Sequence, residues 1–180
     1  AIIDRTAGAF RDGTHLYVDP DVDPPVTPSE LSEIEDQARD ANVFIAYVPG
    51  QAIRDEATDS ADVAGEVIDA ARVPGTFLID YDDSTGNVGS TQIPREQARS
   101  LASAALSAAG DDTAAFYRDF IARVADVRAG GDGTPSEGVS VAGWAVPLGL
   151  VAGAGGVGWI IWRRAKRQRE EAERAQLEKL

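Results

Sequence analysis

From Thr27 onward the apolar positions alternate between helical and extended spacing. Thr27-Pro-Ser-Glu30 has the form of a capping box with Pro at the first helical position, and Leu31, Ile34 and Ala38 behind it fall on one face. A helix is therefore predicted to about Ala41. VFIAYVP, from Val43, is a near-continuous apolar run, the pattern of a strand covered on both sides. Val63, Val67 and Ile68 define a helix over about 60–72, and TFLIDYD after Pro74-Gly75 reads as another strand. DDSTGN is a turn, so a shorter strand around Val88 to Gln92 closes a hairpin. Two further helices follow. One spans about 95–109 with Ala98, Leu101, Ala102 and Ala105 inward; the other spans about 112–128 with Phe116, Phe120, Val124 and Val127 inward. Ahead of all these, His15-Leu-Tyr-Val-Asp19 alternates as a strand closed by the prolines of DPDVDPPV, and residues 1–13 read as an extended lead-in. The order β-α-β-α-β-β-α-α predicts an α/β domain over 14–128, a small mixed sheet with helices on both faces.

Beyond a polar linker at 129–138 the pattern changes. Residues 139–162, VSVAGWAVPLGLVAGAGGVGWIIW, carry no charge, and 24 residues at about 1.5 Å each suffice to cross a hydrocarbon core of about 30 Å. Gly153 to Gly158 in this run matches G-x-G-x-x-G, but neither a strand before it nor a βαβ unit around it supports a dinucleotide site. A transmembrane helix is the better reading. Trp144 near one end and Trp159 and Trp162 at the other suit the headgroup level, and the run stops at Arg163, Arg164, Lys166 and Arg167. Gly149 and Gly153 form GxxxG, and Ala152/Gly156 and Ala154/Gly158 repeat the small-residue spacing, which gives a smooth face for packing on a partner helix.

Charge assigns the two sides. Up to Trp162 there are 26 Asp or Glu against 10 Arg, net −16; residues 163–180 hold seven cations against four Glu, net +3, which together give the −13 of the 180-residue chain. Lys and Arg beside a span stay in the cytoplasm, so the basic tail is expected inside the plasma membrane and the acidic domain outside, in a single-pass arrangement. An N-terminus that begins with Ala fits removal of a signal peptide. RRAKRQR also offers cations to anionic lipid. An acidic surface repels phosphate, which excludes a nucleic-acid role. Zero Cys excludes thiol catalysis, disulfides and Cys-based metal sites, and the lack of Lys before residue 163 fits a high-GC genome; a halophilic origin accounts equally for the acidity.

Candidate chemistry is sparse. Asp19, Asp21, Asp23 and Glu30 fall at positions 1, 3, 5 and 12 of a calcium loop, yet Pro24 stands where that loop needs Gly, and a proline-stiffened acidic loop fits better. Asp80, Asp82 and Asp83 cluster at a strand end, where turn chemistry alone accounts for them. His15 is the only histidine, so no multi-His zinc site exists, and a Ser-His-Asp triad would lack the GxSxG elbow. Tyr47 and Tyr81 read as core aromatics with wet tips. No catalytic residue, metal ligand or cofactor is assigned.

From about His15 to Arg128 the chain resembles the TPM domain family. The resemblance rests on LYVDP…SELSEIEDQARDANVFIAYVP, then GTFLIDYDDSTGNVGS, then IPREQARSLASAALSAAGDDTAAFYRDFIARV. It implies a TPM-like α/β/α sandwich. The family includes metal-dependent phosphatases and proteins that assemble or repair membrane complexes. Its metal-associated members carry Asn-Gly before the buried strand and Gly-Tyr-Gly-Leu-Glu after the hairpin, where this chain has Val-Pro-Gly before Thr76 and Gly-Ser-Thr-Gln-Ile after Val88. The resemblance thus favours a membrane-anchored accessory or assembly subunit docked on a larger membrane protein complex. The layout is similar to accessory subunits of the actinobacterial respiratory (cytochrome bcc–cytochrome oxidase) supercomplex. A metal-dependent envelope phosphatase and a homodimer formed through GxxxG remain the other readings.

Overall fold

A computed structural model describes residues 1–84 and 86–134. Its elements are helix α1 (Ile2–Arg11), strand β1 (Leu16–Val18), α2 (Pro28–Ala41), β2 (Val43–Val48), α3 (Gly50–Glu56), α4 (Val63–Ala71), β3 (Thr76–Tyr81), β4 (Asn87–Ser90), α5 (Arg95–Ala109) and α6 (Thr113–Arg128). The sheet order is β1-β2-β3-β4; the first three strands are parallel and β4 is antiparallel to β3. This is the mixed α/β architecture that the apolar spacing predicts.

Strand alternation divides the core in two. Val43, Ile45, Leu78 and Val88 face α2, α5 and α6, whereas Phe44, Ala46, Val48, Phe77, Ile79 and Tyr81 face α1, α3 and α4. With both faces covered, β2 is buried at all six positions, which is why its sequence reads as one apolar run. The strands progress in one direction while α2 and α4 lie on opposite faces. The two crossovers therefore have opposite hands, and one departs from the strong preference for right-handed connections. Each face gains three helices by this division.

The capping box is formed as expected: Thr27 Oγ1 accepts from the Glu30 amide, and the Glu30 carboxylate accepts from the Thr27 amide at 3.0 Å. Asp62 and Asp112 cap α4 and α6 by accepting from the Gly65 and Ala115 amides. One expectation is corrected, and one helix falls where the sequence predicts no element. Residues 1–13 are not an extended lead-in: Ile2, Ile3, Ala7 and Phe10 are spaced for one helical face and are buried as α1. Residues 50–56 form α3, a short helix anchored by the fully buried Ile53 and too brief to show a period in the sequence. The predicted helix at 60–72 begins at Val63, behind its Asp62 cap.

The start of the 129–138 linker turns back onto α6. Gly133 is buried, its amide donates to Asp126 Oδ2 at 2.9 Å and its carbonyl accepts from Arg123 at 3.1 Å. Among the described residues no helix is long and apolar enough to cross a membrane. The expected span at 139–162, the packing residues Gly149, Ala152, Gly153, Ala154, Gly156 and Gly158, the interfacial Trp144, Trp159 and Trp162, and the basic Arg163, Arg164, Lys166 and Arg167 all lie outside the described residues.

Candidate functional site

In open α/β sheets ligands bind beyond the carboxyl ends of the parallel strands. Here those ends share one edge, because β1, β2 and β3 run in the same direction. Asp19 follows β1, Pro49 and Gly50 follow β2, and Asp82, Asp83 and Ser84 follow β3. The Asp19 amide donates to Tyr47 O at 2.9 Å and the Asp82 amide to Val48 O at 3.2 Å, which extends the pairing past the strands. The fold thus brings the two aspartate clusters, far apart in sequence, to the same edge.

What each carboxylate does there is the informative part. Asp19 is fully buried and accepts from Arg5 Nη2 at 2.8 Å and Nε at 3.2 Å, from the Tyr17 hydroxyl at 3.1 Å and from the Asp21 amide at 3.1 Å. Burial pushes its pKa up, but these donors outweigh that and hold it below the ordinary carboxylate range. Asp21 shares Arg5 at 3.0 Å. Asp82 accepts from the Gly50 amide at 2.9 Å. Asp83 pairs with Arg54 at 2.6 Å and accepts from Ser84 Oγ at 2.8 Å; burial raises its pKa, and the Arg54 and Ser84 donors bring it below the usual range. Asp80, on the other face of β3, accepts from the Tyr117 hydroxyl of α6 at 2.8 Å.

Gly50 makes this closure sterically feasible. A Cβ at that position would collide with the Asp83 carboxylate and with Tyr81 Cβ. The Arg54 guanidinium lies 5.2 Å from the centre of the Tyr81 ring, so one cation serves Asp83 and the aromatic face together. The Tyr81 hydroxyl is buried without a hydrogen-bond partner, and burial is the main reason its pKa is pushed up to about 12. At neutral pH it is a protonated phenol, not a base.

The carboxylates of the calcium-loop spacing are not gathered into one group. Glu30, its twelfth position, is committed to Thr27, whose hydroxyl lies 2.7 Å from the carboxylate. Among the described residues no group of three His, Cys, Asp or Glu is placed to hold a metal ion. His15 lies just before β1, with Nδ1 2.8 Å from Val43 O and its ring stacked 4.2 Å from Phe44. The carbonyl can only accept, so the proton sits on Nδ1 and His15 acts as a packing residue. It is at the opposite end of the strands from Ser84, so those two residues do not meet.

Sequence reasoning had singled out the aspartates but not Arg5, Arg54, Tyr17, Gly50 or Tyr117. The residue directly after each expected parallel strand was the available signal for Gly50; Arg5 and Arg54 sit on the two helices whose spacing is too short to read. A shallow groove also lies between Pro24–Thr27 and the first turn of α6, lined by the helix-capping carboxylates Glu30 and Asp112. No family model, curated protein or solved structure matches this chain.

Two outcomes test this geometry. A carboxylate with a depressed folded pKa contributes stability above its unfolded pKa, about 4, and that contribution is lost as pH falls through the folded value. Asp19→Asn is therefore expected to lose stability less steeply than the wild type below about pH 4, measured by urea midpoints; parallel pH profiles would refute the role of Asp19. Tyr81→Phe removes an unsatisfied buried hydroxyl and is expected to be neutral or stabilising by about 1 kcal/mol. A loss of more than about 1 kcal/mol would mean that the hydroxyl has a partner.

Proposed function

We propose that this chain is a membrane-anchored accessory or assembly subunit that docks on a larger integral membrane complex through its glycine-rich span and acidic outer domain. The observation that carries the reading is the uncharged 24-residue run at 139–162, bounded by tryptophans and stopped by RRAKRQR. Its small-residue spacing supports a helix partner, since close backbone approach is what drives association where lipid removes the hydrophobic incentive. The plasma membrane is the location, with the N-terminal domain outside and the tail in the cytoplasm.

The TPM resemblance supports assembly work, and the strand-end chemistry is consistent with it. Among the described residues, seven Arg pair with carboxylates inside the domain: Arg5, Arg39, Arg54, Arg95, Arg99, Arg118 and Arg123. With seven of the ten Arg among the described residues paired inside it, the domain presents an acidic excess to the outside, suited to a cationic partner surface. A respiratory supercomplex of the cytochrome bcc–cytochrome oxidase type is the first candidate, on the resemblance alone. Affinity purification of the tagged full chain from native membranes is expected to bring down a defined multi-subunit complex, and Gly153→Ile to lose it while the domain stays folded. Recovery of the chain alone, or an undiminished complex with Gly153→Ile, would overturn this reading.

A second reading, a metal-dependent phosphatase of TPM type, draws on one observation: five aspartates, Asp19, Asp21, Asp80, Asp82 and Asp83, gather at or beside the carboxyl ends of the parallel strands. Against it, Asp19 and Asp83 are already neutralised by Arg5 and Arg54. Under the accessory reading the full chain releases no phosphate from a generic phosphoester with Mg²⁺, Mn²⁺ or Ca²⁺; release abolished by Asp82→Asn would establish the phosphatase instead.

A further inference from the structure

Helix α1 is attached differently from the other capped helices. Thr27, Asp62 and Asp112 cap α2, α4 and α6 from the residue that precedes each helix. The residue at the cap of α1 is Ala1, which offers no side-chain acceptor. The cap comes from another element: Glu56, the last residue of α3, accepts from the Ile2 amide at 2.5 Å and from the Ile3 amide at 2.9 Å. A carboxylate at a helix N-terminus satisfies orphan amides and meets the positive end of the dipole. For α1 that stabilisation exists only while the helix touches α3.

The rest of the attachment points the same way. Phe10 lies 5.2 Å from Phe44 and 5.7 Å from Phe77, near the starts of β2 and β3, while Arg5 reaches Asp19 beyond the end of β1, so α1 runs antiparallel to the strands across one sheet face. It forms no part of the hydrogen-bonded ladder. Gly13, at φ +88, and Thr14 join it to the segment leading into β1, so the helix can leave without disturbing a strand pair. At ten residues, with Gly8 in the middle, it is too short to persist as an isolated helix in water. Thr6 Oγ1 on α1 and Tyr81 Oη on the face it helps to cover are both buried without hydrogen-bond partners, and undocking returns water to such groups.

We propose that α1 is a detachable clasp, helical only while docked, that leaves the sheet face as one unit before the strands separate. Docking and helix formation are then a single step, because Glu56 supplies both a contact and the cap. Release uncovers the face that carries the stacked Phe44 and Phe77, whose rings lie 4.9 Å apart. The inference stands apart from the membrane reading and fails or survives independently of it.

Hydrogen exchange on the full chain at pH 7 tests it. The amides of residues 6–11 are expected to exchange through an opening distinct from, and faster than, that of Ile45 and Leu78 in the central strands. Glu56→Ala should speed exchange across α1 by about tenfold or more, the factor set by losing a charge-assisted bond, with strand amides unchanged within about twofold. Asp55→Ala, the exposed neighbour on α3, is the control and should leave α1 as in the wild type. If α1 and strand amides exchange through one common opening, or if Glu56→Ala does no more than Asp55→Ala, the clasp does not exist.

Discussion

A carboxylate enclosed by protein must either be paired and hydrogen-bonded or give up its charge, and Asp19 stands at that constraint. It ends β1, and four donors converge on it: two nitrogens of Arg5, the Tyr17 hydroxyl and the Asp21 amide. Arg5 is half-exposed while Asp19 is enclosed, so the pair seals the edge from the inside and leaves the cation to solvent on its outer side. While α1 is docked, this pair holds it across the sheet face, and the acidic loop that follows β1 is held back by the shared contact to Asp21. Replacing such a pair by apolar groups can be neutral, but removing one member strands the other, so the arrangement specifies geometry more than it adds stability.

Arg54 repeats the solution at the end of β3, where it takes Asp83 and covers Tyr81. The strand-end edge is the place where this fold class commonly builds a binding crevice. In this chain its carboxylates are largely turned to structural service. Gly50, whose missing side chain lets the chain after β2 approach β3, closes the same edge from the middle.

Most of the fold was legible because its main signals are local and strong. The Thr27–Glu30 box, the uninterrupted VFIAYV of a doubly covered strand and the inward positions Ala98, Leu101 and Ala105 of α5 each carry their period within a few residues. Helix α1 escaped because its apolar pair Ile2-Ile3 looks like a strand start. Helix α3 escaped because Ile53 is its only large buried side chain. The candidate edge was half-legible: aspartates cluster visibly in the sequence, but their partners Arg5 and Arg54 come from those two unread helices. Strand order and the opposed hands of the crossovers are properties of packing between distant segments, for which no local pattern exists.

The fold-back at Gly133 has a mechanical consequence. The chain leaves the domain from α6, whose final residue Arg128 reaches the Ala41 carbonyl at the end of α2, next to where β2 begins. Tension applied at Thr134 would therefore load the Asp126 and Arg123 contacts to Gly133 first, then the α6–α2 seam. The aspartate edge, at the far ends of the strands, lies off that force line, so a pull at Thr134 and a contact at the edge are mechanically separate events.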